Sequence, residues 1–199
     1  MGVSRSVEFF DTQFKRQVRS GEFALNPFER LALTYVHGAV LDLGCGLGNL
    51  ALEAAHRGCN VTAIDASTTA IERVRRAAEE ERLAVEALEA DLTRFSIGND
   101  YDTIVAIGLL MFFPQARALA MLRDIQANVH AGGHAIVNVL IEGTTYMDMF
   151  TSGEYYVFRR EELVDSFAGW VIEVTQYDDF SAPGHTVKAF STVIARKIH

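Results

Sequence analysis

The chain has 199 residues, 49% of them hydrophobic, and a formal net charge of -8 from 26 acidic and 18 basic residues. That length reads as one domain, or one domain with a small appendage, and the apolar share is enough for a substantial core. The acidic balance argues against a nucleic-acid backbone as the main partner, because phosphate contacts need a basic face.

Residues 5–20 place Val7, Phe10, Phe14 and Val18 at helical spacing among basic residues, which predicts a short amphipathic helix stopped by Ser20-Gly21. Asn26 and Pro27 read as the N-cap and first residue of a second helix, expected to run to about Tyr35. From His37 the texture changes. Residues 39–43 form a short apolar strand broken by Gly44, Gly46 and Gly48, and residues 50–56 an apolar helix ended by Gly58. Residues 60–65 are a second strand. Ser67 opens a long helix to Arg82, with Ile71, Val74 and Ala78 on its inner face. Residues 85–89 predict a third strand, residues 101–107 a fourth, and residues 115–129 a helix. Residues 131–133 read as a turn before a fifth strand at 134–141. In the tail, residues 161–167 predict a short helix. Strands at 170–177 and 187–197, joined by a loop holding Pro183-Gly184, predict a closing antiparallel pair. Strand and helix alternate five times, which predicts an α/β fold, doubly wound, with a mostly parallel sheet covered on both faces.

Cys45 and Cys59 lie outside any CxxC pair and away from histidines at ligand spacing, so no metal site is read. The N-terminus lacks an apolar leader, and no apolar run approaches the roughly 20 residues of a bilayer span. A cytoplasmic chain without a membrane partner is therefore expected.

The most informative stretch is Leu41-Asp42-Leu43-Gly44-Cys45-Gly46-Leu47-Gly48, at the carboxyl end of the first sheet strand, where open α/β sheets bind ligands. Glycines let backbone approach a ligand closely. Asp42 is a carboxylate inside an apolar strand, costly unless it serves a cation or hydrogen-bond donors. Asp65 ends the second strand, where an acid can chelate ribose hydroxyls. Asp91 follows the third, where a carboxylate can accept from an adenine amino group. A nicotinamide-binding site is the rival reading of the glycines. Its fingerprint wants a third glycine or alanine where this chain has Asn49.

This set of residues resembles the class I S-adenosylmethionine-dependent methyltransferases, from His37 onward. The resemblance implies a Rossmann-like sheet of seven strands, with S-adenosylmethionine as cofactor. It implies that Gly44, Cys45 and Gly46 lie along the methionine part with Asp42 and Gly48 nearby. Asp65 would hold the ribose and Ala66 flank the adenine, while Asp91 and Leu92 bracket the adenine edge. Ile107 and Gly108 would close the site near the transferable methyl. The segment after the fourth strand, residues 155–163 and the last strand are also similar to tellurite-resistance-type methyltransferases. Those carry a longer acidic loop with a His-Arg pair before the last strand, where this chain has only residues 181–186.

The expected organisation is a helical lid segment over residues 1–36 and a cofactor-binding methyltransferase domain over 37–199. The expected reaction is in-line methyl transfer to a small-molecule acceptor. The alternatives are a nicotinamide-dependent oxidoreductase and a catalytically silent cofactor-binding module. Phe10, Phe14, Phe112, Tyr146 and Tyr155 are the candidate substrate-pocket aromatics, suited to a sulfonium by cation–π contact. His185, in the last loop, is the candidate catalytic residue.

Overall fold

The computed structural model of the protein describes residues 5–199. Residues 1–4 of the expected lid segment lie outside them. The first half comprises helices α1 (Arg5–Ser20) and α2 (Pro27–Ala32), strand β1 (Ala39–Leu43), helix α3 (Asn49–His56), strand β2 (Asn60–Asp65), helix α4 (Thr68–Glu81) and strand β3 (Val85–Glu89). The second half comprises strand β4 (Tyr101–Ile107), helix α5 (Gln115–Ala127), strand β5 (Val129–Leu140), helix α6 (Glu162–Ser166) and strands β6 (Val171–Ala182) and β7 (Thr186–Arg196). The strands make one seven-stranded sheet in the order β3-β2-β1-β4-β5-β7-β6. β1 to β5 run parallel, and β7 inserts antiparallel between β5 and the edge strand β6. This is the doubly wound sheet with an antiparallel closing pair that the sequence predicts. Among the described residues no helix is long and apolar enough to cross a membrane.

The two central strands are covered on both faces, so their apolar residues run on instead of alternating. Residues 40–43 of β1 and 103–106 of β4 are all buried. One face carries α5 and α6 through Met121, Leu122, Ile125 and Leu163. The other carries α2, α3 and α4 through Ala32, Leu50, Ile71 and Val74. α4 starts where the Ser67 hydroxyl accepts from the Ala70 amide, and it ends at Arg82 in the left-handed conformation.

Three differences from the sequence reading go beyond a residue or two at an element's end. α2 stops at Ala32, and single turns carry the chain on to Tyr35. The expected turn at 131–133 belongs to an irregular start of β5. There the Gly132 amide donates to the Lys197 carbonyl and the Lys197 amide to the Gly133 carbonyl, so pairing with the chain end overrides the glycines. The closing hairpin is also longer than expected, because β6 pairs with β7 up to Ala182↔Thr186. Asp178 and Asp179 look like loop residues in the sequence, but an edge strand tolerates charge on its open side.

β1 lies between β2 and β4, so the strand order reverses there. A crevice opens at the carboxyl ends of these strands, as expected at a topological switch point.

Candidate active site

The crevice is a cavity of about 1480 Å³. Pockets for one drug-sized ligand hold roughly 300–1,000 Å³, so this one has room for a cofactor and a second molecule. Its wall brings together Asp42, Gly44, Cys45, Gly46, Asp65, Ala66, Asp91, Leu92, Ile107 and Gly108, along with Phe10, Phe14, Phe112 and Tyr146. Three candidates stand outside the wall. Gly48 sits at the start of α3 with φ 72, and a Cβ there would come within 2.4 Å of Val74, so its smallness serves helix packing. Tyr155 stacks on Phe150, which does line the cavity, and so lies one layer back. His185 occupies the exposed β6–β7 turn in the left-handed conformation, and neither its ring nor its backbone is part of the wall.

Asp42 is only 5% exposed, and burial first, then the charges of Glu29 and Asp65, push its pKa up to about 8. The residue acting on it most strongly, Glu29, was not singled out in the sequence. Glu29 belongs to the capping box of α2: the Asn26 side chain accepts from the Glu29 amide at 2.9 Å, and the Glu29 carboxylate accepts from the Asn26 amide at 2.7 Å. Its pKa is also raised, chiefly by burial. Two carboxyl groups in one wall of a partly dry cavity form a cation-seeking end. Cys45, beside them, is held as a neutral thiol, since burial and then Asp42 raise its pKa.

Asp65 fastens the glycine turn to the next helix. Its Oδ2 accepts from the Gly46 amide at 2.9 Å and its Oδ1 from the Ser67 amide at 2.8 Å. Each carboxylate oxygen keeps a second lone pair, which suits a vicinal diol. Burial raises its pKa, and the amides of Ser67, Gly46 and Ala66 oppose that rise. Asp65→Ala is therefore expected to weaken cofactor binding by roughly 1.5–3 kcal/mol, the scale of hydrogen bonds to a charged group. It should also lower the melting temperature, because two backbone amides lose their acceptor. Calorimetric titration with S-adenosylhomocysteine alongside thermal unfolding checks both, and unchanged affinity in a folded variant would refute the ribose role.

At the far end, the Thr93 amide and hydroxyl donate to Asp91 Oδ1 at 2.9 and 2.6 Å, and that hydroxyl bond is the main reason its pKa is lowered. The Arg117 guanidinium donates to the carbonyls of Leu92 and Phe95, which fixes this loop on α5.

α1 closes the crevice from outside. Phe14 lies against the glycine turn, where a Cβ on Gly46 (φ 52) would come within 3.2 Å of its ring. Phe10 packs edge-on to Phe112 at 5.1 Å, and the Ser67 hydroxyl donates to Asp11 at 2.8 Å.

The glycine turn does not offer a diphosphate site. The amides of Gly44 and Cys45 both donate to the Ile64 carbonyl, that of Gly46 to Asp65 and that of Gly48 to the Cys45 carbonyl. A pyrophosphate would find these donors used and the carboxyl groups of Asp42 and Glu29 close by. The groups present suit S-adenosylmethionine: carboxylates for its ammonium and sulfonium end, Asp65 for the ribose, and Ala66, Leu92 and Asp91 for the adenine.

Comparison with known proteins agrees. A family model described as a methyltransferase domain matches residues 40–133. The chain is 28% identical to "Hemagglutinin 1" of Eikenella corrodens over 79% of this chain and 54% of that one. It is 26% identical to the "Probable S-adenosyl-L-methionine-dependent methyltransferase TehB" of Haemophilus influenzae over 79% of this chain and 57% of that one. It thus spans little more than half the length of these relatives. The crystal structure of TehB from Haemophilus influenzae superposes with a TM-score of 0.76 at 21% identity, covering 91% of this chain and 65% of that one, which shows a common fold. Residues 40–133 thus match a methyltransferase-domain family model, and the chain is similar in sequence to an S-adenosylmethionine-dependent methyltransferase whose fold it shares.

Proposed function

We propose that the protein transfers a methyl group from S-adenosylmethionine to a small-molecule acceptor, with residues 37–199 as the catalytic domain and the segment before them as a lid. One observation carries this reading: the carboxyl pair of Asp42 and Glu29 shares a cavity with Asp65 and with an aromatic wall large enough for a second molecule. When bound, S-adenosylmethionine supplies a methyl carbon activated by its sulfonium leaving group, and S-adenosylhomocysteine remains after transfer. The chain's own residues then have three tasks. Asp42 and Glu29 neutralise the cationic end. Asp65 and the Asp91 loop fix the ribose and adenine, so that the reactive carbon is held in one place. The aromatics of α1 and Phe112 exclude water and align the acceptor, and such alignment alone can supply much of the rate. Among the described residues no histidine lines the cavity. A histidine base is therefore not part of the proposal, and His185 is left without a catalytic role. The two cysteines, both free and buried, suit a reducing cytoplasmic setting.

Calorimetry is expected to show S-adenosylmethionine or S-adenosylhomocysteine binding in the micromolar range, about 8 kcal/mol, and no comparable binding of NAD. Tight NAD binding without sulfonium binding would overturn the reading. Release of S-adenosylhomocysteine across a panel of small acceptors, tellurite and selenite included, tests turnover. Cofactor binding with no release from any acceptor would point to the silent module.

A further inference from the structure

Beyond the cofactor end, the cavity extends along one face of the closing hairpin. On β7 the residues of that face follow at every second position: Lys188, Phe190 and Thr192. Thr192 is paired with Asn138 of β5, whose backbone carbonyl accepts from Gly108 at the edge of the cofactor site. Phe190 packs against Phe28 of α2 at 4.9 Å. Lys188, Phe190, Phe28, Tyr146 and Asn138 all line the cavity.

Two polar atoms here, Asn138 Oδ1 and the Lys188 ammonium nitrogen, have no hydrogen-bond or ion-pair partner among the described residues. Asn138 is fully buried; its amide nitrogen donates to Thr192 at 2.9 Å, and its Oδ1 has no hydrogen-bond partner. Lys188 is half-buried, and its ammonium lies 4.6 Å from the centre of the Tyr146 ring. Among the described residues no carboxylate comes within ion-pairing distance of it. Its pKa is lowered by burial alone, with no anion opposing the shift. A charge withdrawn from water without a counterion is costly unless a ligand provides one. Lys188 and Thr192 are four positions apart on the strand, a span of about 13 Å at the usual rise per residue. An aromatic floor, Phe190 with Phe28 behind it, occupies the middle.

We propose that the acceptor is a planar aromatic carboxylate of one or two rings, its carboxylate bound by Lys188, its rings on Phe190 and Tyr146, and its hydroxyl or amino group donating to Asn138 beside the cofactor. This rests on the methyl-transfer reading of the same cavity. The hairpin supplies an aromatic floor with a cation at its end, and a small inorganic oxyanion would leave that floor unused.

The test is calorimetric binding to the full chain saturated with S-adenosylhomocysteine, using 6-hydroxy-2-naphthoate and 4-hydroxybenzoate, each beside its uncharged carboxamide. The expected result is a preference of about tenfold or more for at least one carboxylate over its amide, the scale of one charge-assisted hydrogen bond. Lys188→Met should abolish that preference by weakening the carboxylate and leaving the amide unchanged, with S-adenosylhomocysteine affinity intact. Equal binding of acid and amide, no binding of either carboxylate, or a preference that survives Lys188→Met would overturn the proposal while the cofactor reading stands. Failure of S-adenosylhomocysteine itself to bind would overturn both.

Discussion

Replacing Asp42 by asparagine is expected to weaken S-adenosylmethionine binding by roughly 10- to 100-fold, while making the ligand-free protein harder to unfold at neutral and alkaline pH. Both effects follow from one buried carboxyl. Burial, Glu29 and Asp65 raise its folded-state pKa from the ordinary 3.8 to about 8, so the folded chain holds a proton that the unfolded chain has lost. The stability tied to that proton is fully present below about pH 4 and is lost as pH rises through about 8. Asparagine cannot ionise and escapes the loss. A cationic ligand reverses the preference, because it favours the carboxylate, and binding should therefore expel the proton. In the wild type, affinity should rise about tenfold per unit between pH 6 and 7.5, below the range of about 7.7–8.0 where an α-amino group itself loses charge. In Asp42→Asn this slope should flatten. Titrations in two buffers of different ionisation enthalpy read the released proton directly. A pH-independent affinity over that window, or an asparagine variant that binds as well as wild type, would show that Asp42 does not face the cofactor's charge.

Removal of residues 1–20 is expected to leave a folded core that binds S-adenosylhomocysteine more weakly and turns over at least about a hundredfold more slowly. α1 has 16 residues and none of its described side chains is buried to the degree of the core, so the sheet and its helices do not depend on it. Besides lying against α4, it meets the ligand crevice: Phe14 on the glycine turn, Phe10 on Phe112 and Asp11 on Ser67. A helix of this length without tertiary support is marginal in water, so ligand contact should order it further. Amide hydrogen exchange over residues 5–25 should slow when S-adenosylhomocysteine is added. Phe10→Ala with Phe14→Ala should reproduce much of the loss of turnover without shortening the chain. Slow exchange before any ligand is present, together with an unfolded truncation, would make α1 a structural element and end the lid proposal.

Most of the fold was legible in the sequence because its signals are local. The apolar runs of β1 and β4, the spacing of Ile71, Val74 and Ala78, the Asn26-Pro27 start of α2 and the Ser67 cap each depend on residues a few positions apart. Asp42 and Asp65 stood out for the same reason, as acids at the ends of apolar strands. Where long-range pairing decides the outcome, the local signals misled. Glycines suggested a turn at residues 131–133 and acids a loop at 178–179, but Lys197, just after β7, pairs with the first region and β7 with the second, because backbone groups beside a sheet gain more from the ladder than from a turn. The side of the cavity that we propose for the acceptor is a tertiary product altogether. Glu29 reads as a capping residue until packing sets it near Asp42. Lys188 is a cation in a half-apolar strand, the mirror of the signal that marked Asp42, yet only the hairpin's placement against β5 brings it to the same cavity. His185, three residues earlier, is left in solvent at the turn because the closing strands extend further than their composition suggests. Local periodicity thus determined which segments are helix and strand and where a ligand with a cationic end would sit. Which side chains from distant segments meet that ligand was decided by sheet order and register, since these alone set which residues share a face.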